Sequence, residues 1–125
     1  MQPPDRNLSK LVQLLTQYRY VLGSESAFQE GLAQVLRAQG IAHLKEHDLG
    51  RDFGRIDFYL PESQTGIELK VKGSPSEVVR QIHRYALCPD IAALVLLTGK
   101  RRLTRMPASI NGKPLVAASL WWGQV

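Results

Sequence analysis

Gly54-Arg55-Ile56-Asp57-Phe58 and, after a ten-residue gap from the aspartate, Glu68-Leu69-Lys70 are the stretch on which the reading of this chain turns. Arg55 to Leu60 and Gly66 to Lys72 each read as a short strand, because apolar and polar residues alternate between turn-rich segments. Residues two apart on a strand share a face. Glu68 and Lys70 therefore point one way, with Lys72 further along the same side, and Ile67, Leu69 and Val71 fill the other. Asp57, flanked by Ile56 and Phe58, is expected to face away from the apolar side of its own strand. Pro61 to Thr65 is the turn between the two strands. Counted inward from Leu60 and Gly66, Asp57 is three residues in and Glu68 two, which brings them within cross-strand reach.

Towards the N-terminus, Ile41 to Leu49 reads as a first strand, joined to the second by the turn-rich Gly50 to Gly54. Two helices precede it. Leu8, Leu11, Val12, Leu15, Tyr18 and Leu22 recur at helical spacing and predict a helix over 7–22 that Gly23 stops. A second helix runs from a Ser24 cap to Gln39, with Phe28, Leu32, Val35 and Leu36 as its apolar face and Gly40 as its stop. Towards the C-terminus, Ser74-Pro75-Ser76-Glu77 opens a third helix. Val78, Val79, Ile82, Tyr85 and Ala86 supply its packing face, and Pro89 ends it. Ile91 to Thr98 is continuously apolar, as in a strand buried on both faces. Gly99 to Arg105 is a basic loop, Asn111-Gly112 a turn, and Leu115 to Trp122 a last strand. The order predicts a mixed α/β fold in which helices pack on one sheet.

Two carboxylates on one sheet face repel unless a cation lies between them. Lys70 answers this in part, as a surface ladder Asp57–Lys70–Glu68. A divalent ion answers it more fully, and hard oxygen ligands of this kind suit Mg²⁺ or Mn²⁺. Such a site polarises a phosphate oxygen and acidifies a bound water.

These residues resemble the core of the PD-(D/E)XK nuclease superfamily, in its RecB-like, VRR-Nuc and Holliday junction resolvase-like branches. The family's proline before the aspartate is Ile56 here. The resemblance covers residues 24–98 and implies a restriction-endonuclease-like α-β-β-β-α-β core, with the helix over 7–22 and the segment 99–125 outside it. It implies that Asp57 and Glu68, with the Leu69 carbonyl, bind the metal and that Lys70 serves the attacking water. Gln81 and Tyr85, four apart on the third helix and so on one face, are similar to the Q-x-x-x-Y element of RecB-like nucleases and complete the implied catalytic set, bordering the substrate strand. The resolvase and VRR-Nuc branches add a glutamate from the helix before the sheet. Glu25 falls within the apolar arc of the second helix, Gln29 at the arc's edge and Glu30 toward solvent. Glu25 is therefore the expected extra ligand and Glu30 the alternative. If Ser26 instead of Ser24 capped the helix, Glu25 would merely precede it.

Charge agrees with a polyanionic partner. Of 125 residues, 22% are charged, and the net charge is +5. Residues 1–90 hold 11 basic and 11 acidic side chains, so the excess lies in Lys100, Arg101, Arg102, Arg105 and Lys113. A local cationic patch attracts phosphate polymers. Lys72, Arg80, Arg84, Lys100, Arg101, Arg102 and Arg105 are the candidate nucleic-acid contacts, DNA before RNA. Gly99-Lys100-Arg101-Arg102 lacks the phosphate-loop pattern, so no nucleotide cofactor is expected. His43, His47, His83 and the single Cys88 lack zinc-ligand spacing. Trp121-Trp122 can stack on bases or close a core or dimer interface. No apolar run approaches the roughly 20 residues of a spanning helix, and the first ten residues carry no secretory pattern. The expectation is a single-domain, cytoplasmic, metal-dependent endo- or exodeoxyribonuclease acting as a homodimer without membrane contact. The alternative is a catalytically idle module of the same fold that binds nucleic acid or a partner protein.

Overall fold

The computed structural model describes residues 4–120, with side chains from Asn7 onward. Its elements in chain order are α1 (Pro4–Leu15), α2 (Glu25–Ala38), β1 (Leu44–Asp48), β2 (Arg55–Leu60), β3 (Thr65–Lys70), α3 (Pro75–Ala86), β4 (Ala93–Thr98), a 3-10 turn (Arg101–Thr104), β5 (Ser109–Ile110) and β6 (Lys113–Ser119). The strands form one six-stranded mixed sheet in the order β1-β2-β3-β4-β6-β5. β1, β2 and β3 form an antiparallel meander, β3, β4 and β6 run parallel, and β5 closes a hairpin with β6.

Two apolar layers sandwich the sheet. On one face Leu8, Val12 and Leu15 of α1 and Phe28, Leu32 and Leu36 of α2 pack on Phe58, Leu60, Ile67, Leu69, Val95 and Leu97. On the other, Val78, Ile82 and Tyr85 of α3 pack with Leu103 of the 3-10 turn on Ile56, Tyr59, Leu94, Leu96 and Leu115. Each such fully buried apolar side chain contributes about 1.5–3 kcal/mol. All six residues of β4 are buried, as its unbroken apolar run predicts. α3 lies between β3 and β4 in the chain, as the crossover that lets consecutive strands pair in parallel.

Local sequence explains most boundaries. Ser24 caps α2 by accepting from the Ala27 N–H at 3.1 Å, so Ser26 is not the cap and Glu25 is the first helical residue. Gly40, at φ +68°, ends α2: its N–H donates to the Arg37 carbonyl and that of Ile41 to Leu36, the paired bonds of a glycine C-cap. Ser74 caps α3 and its hydroxyl donates to Glu77 at 2.7 Å.

The expected helix over 7–22 is shorter. It stops at Leu15, because side chains take its last carbonyls: Thr16 Oγ1 donates to Val12 O at 2.8 Å and the Tyr20 hydroxyl to Leu15 O at 2.7 Å. Tyr20 and Leu22 then pack back into the core from an irregular segment, while Tyr18 is exposed. Strand β3 ends at Lys70 instead of Lys72. The basic loop contains the 3-10 turn, pinned by fully buried Leu103. Trp121 and Trp122 lie outside the described residues. Among the described residues no helix is long and apolar enough to cross a membrane.

Candidate active site

β2 and β3 are paired at Leu60↔Thr65, Tyr59↔Gly66 and Phe58↔Ile67, and the regular ladder ends there. The next step of that register sets Asp57 against Glu68. Here carboxylates replace backbone acceptors. The Asp57 N–H donates to Glu68 Oε1 at 3.3 Å, and the Leu69 N–H donates to Asp57 Oδ2 at 2.8 Å. The N–H and C=O of a strand residue point to the same side, so the Leu69 carbonyl opens on the gap that Asp57 occupies.

The alternation of β2 also breaks at this point. Ile56 and Phe58 were expected to share a face with Asp57 opposite. Instead Ile56 belongs to the layer under α3, and Phe58 to the layer under α1 and α2. The strand turns over at Asp57, which leaves its carboxylate accessible to both β3 and α2. From α2, Gln29 Nε2 donates to Asp57 Oδ1 at 2.8 Å.

Glu68 is 3% exposed. Its Oε1 accepts from the Asp57 N–H and from the Tyr85 hydroxyl at 3.2 Å, and its Oε2 lies 3.4 Å from Lys70 Nζ. The i, i+2 pairing of Glu68 with Lys70 is thus realised. Burial raises the Glu68 carboxyl to about 8, and the neighbouring Asp57 charge adds to the effect; Lys70, the Asp57 N–H and Tyr85 only partly offset them. Burial likewise raises Asp57, against the bonds from Leu69 and Gln29 and the charge of Lys70. One ammonium against two carboxylates leaves the ionised pair net negative.

Tyr85 is fully buried. Its hydroxyl faces the Arg55 carbonyl at 2.8 Å and Glu68, and accepts from Gln81 Nε2 at 2.8 Å. Burial and the two carboxylates push its pKa well above the ordinary phenol range. Tyr85 therefore stands behind Glu68 and does not border a substrate strand; of the Gln81–Tyr85 pair only half-buried Gln81 faces outward, into a cleft. Gly54, beside Tyr85 and Arg84, takes φ +94°, a left-handed backbone that favours glycine.

That cleft, of about 300 Å³, opens beside Lys70 and is lined by Lys72, Arg80, Gln81 and Arg84, with Glu77 the acidic residue on its wall. The basic segment after β4 reaches it through Arg102, which donates to the Gly73 carbonyl at 3.3 Å. Lys100, Arg101 and Arg105 are exposed on that segment and do not line the cleft. A larger and more apolar cleft, of about 630 Å³, lies at the opposite end of β2 and β3, among Leu8, Leu11, Ile41, Leu60 and Thr65.

The helix glutamates do not join the pair. Glu30 is exposed and lies near Arg37 and Lys45, at 3.8 and 3.7 Å. Glu25, half-buried, makes no hydrogen bond or ion pair among the described residues. No group of three or more His, Cys, Asp or Glu side chains is gathered around one point among the described residues. The residue that α2 does bring to the site is Gln29. Its position at the edge of the apolar arc, polar yet turned toward the sheet, was the signal for it. The chain matches no family model, no characterised protein and no solved structure.

Proposed function

We propose that this chain is a metal-dependent nuclease that hydrolyses phosphodiester bonds in DNA, built on a restriction-endonuclease-like core of the PD-(D/E)XK type. The observation that carries the reading is the pair of half-buried Asp57 and buried Glu68, short of positive charge, with Lys70 beside Glu68 and on the wall of a cationic cleft. The order from α2 onward, helix, three strands, helix, strand, supports it.

The donor set fits a hard divalent ion. Asp57 and Glu68 would hold it with the Leu69 carbonyl. Mg²⁺ commonly binds through one or two carboxylates and completes its shell with water and substrate phosphate, so a third protein acid is not required. Bound there, Mg²⁺ or Mn²⁺ supplies Lewis-acid polarisation of a phosphate oxygen and a more acidic water. The chain's own groups do the rest. Lys70 Nζ, beside Glu68 Oε2, orients the attacking water and offsets negative charge growing on the phosphate oxygens. Tyr85 and the Asp57 N–H fix Glu68 in place. Lys72, Arg80 and Arg84 hold the phosphate backbone, with Arg102 extending the track, contacts that fix the strand without reading its bases. Water attack breaks one P–O bond and leaves a phosphomonoester and a hydroxyl end.

The test is cleavage of plasmid and branched DNA with Mg²⁺ or Mn²⁺. The native chain cuts, while Asp57→Asn and Lys70→Ala do not, although both stay folded by circular dichroism. Full activity in either variant refutes these roles. DNA binding with no cutting in the native chain gives the idle-module reading instead.

A further inference from the structure

We infer that Gln29 is a positioning residue for Asp57 and that, being neutral, it sets the site to hold one divalent cation and not two; this rests on the metal-dependent reading above. Terminal torsions of carboxylates are broad, so a single donor leaves the Asp57 carboxylate free to rotate. Two donors from two elements hold it: Gln29 Nε2 from α2 on Oδ1 and the Leu69 N–H from β3 on Oδ2, each at 2.8 Å. The carboxylate is thereby fixed before any cation arrives. The contact also determines how the amide is turned, because its oxygen against a carboxylate would repel.

Charge sets the stoichiometry. Gln29 is the α2 residue that bonds to the pair, and it brings no charge. Glu30 is turned toward Arg37 and Lys45. With Asp57 and Glu68 ionised and Lys70 protonated, the site carries one net negative charge. One divalent ion reverses that to a single positive charge, suited to a phosphate. A second ion would leave a strong excess of positive charge, with no third acid gathered at the pair among the described residues. A glutamate at position 29 would supply that acid.

Mn²⁺ titration of the full chain tests this, by calorimetry and by counting bound ions with electron paramagnetic resonance. The native chain binds one Mn²⁺. Gln29→Leu binds one at least about tenfold more weakly, the usual effect of removing a group that orients a ligand, with its melting temperature in chelator unchanged within a few degrees. Gln29→Glu binds a second ion. Should Gln29→Leu fail to fold, Gln29→Ala carries the same expectation. Unchanged affinity in the leucine variant overturns the positioning role while leaving the nuclease reading in place, and two ions in the native chain overturn the stoichiometry alone. No Mn²⁺ binding by the native chain removes the cation site itself and this inference with it.

Discussion

Replacing Glu68 with glutamine tests whether the site carries unbalanced charge. Glutamine keeps the shape, and its Oε1 still accepts from the Asp57 N–H and the Tyr85 hydroxyl. What it removes is the ionisation. In the native fold the Glu68 carboxyl titrates near 8, against 4.5 ordinarily, because it is buried and faces Asp57, with Lys70, Tyr85 and the Asp57 N–H as partial compensation. Between those values the folded chain retains a proton that the unfolded chain has lost. Stability therefore falls as pH rises across that window. Retaining the proton through one further pH unit is worth about 1.4 kcal/mol, so Glu68 by itself withdraws about 3 kcal/mol between pH 5 and pH 8, on the order of 10 °C in melting temperature for a domain of this size. The glutamine variant lacks this slope. In chelator it matches the native chain within about 1 kcal/mol at pH 5 and exceeds it by about 2–3 kcal/mol at pH 8. Urea unfolding of both proteins at the two pH values measures the difference. An equal pH slope in the two refutes the claim that the pair is short of positive charge.

Two further outcomes follow from the cleft and the packing around the site. Lys72→Ala combined with Arg84→Ala lowers the steepness of the log-affinity against log-salt line for duplex DNA by about two, since each lost phosphate contact removes about 0.9; fluorescence anisotropy in chelator reads it, and an unchanged slope removes the cleft from the DNA path. Gly66→Ala destabilises the fold by about 1–3 kcal/mol, because a Cβ there would lie 2.4 Å from Ile56 Cδ1, 3.0 Å from Ile91 Cδ1 and 3.1 Å from Leu94 Cδ2. Urea unfolding checks this, and a neutral effect would mean that the layer under α3 is looser than the structure shows.

The sheet was legible because its patterns are local. β2 spans the expected 55–60, β4 lies within the expected 91–98, and the caps Ser24, Gly40 and Ser74 mark helix ends through their own chemistry. The N-terminal helix was misread because Tyr18 and Leu22 continue its spacing. Periodicity does not register that Tyr20 folds back to bond the Leu15 carbonyl, nor that Leu22 reaches the same core from an irregular segment. Tertiary packing rewards an apolar side chain wherever the chain delivers it, so helical spacing survives past the end of the helix.

The site divides along the same line. Asp57, Glu68 and Lys70 were placed together by counting residues, since strand periodicity and one turn fix them. Gln29 and Tyr85 reach the pair across 28 and 17 residues, from helices whose rotation about their axes no local pattern fixes. On α2 the candidates Glu25 and Gln29 are one helical turn apart and on similar headings, so the choice depends on how far along the sheet α2 is docked. The hydrogen bond to Asp57 shows that Gln29, not Glu25, is level with the pair. The break at Asp57 was hidden for a related reason. Period-two alternation assumes an even strand, whereas Ile56 and Phe58 pack on opposite faces and the carboxylate between them turns into the gap where the ladder to β3 ends. The irregularity that defeats the sequence pattern is the same one that frees Asp57 to meet Glu68, so a local failure of strand periodicity next to an acid marks this site more sharply than the acids alone.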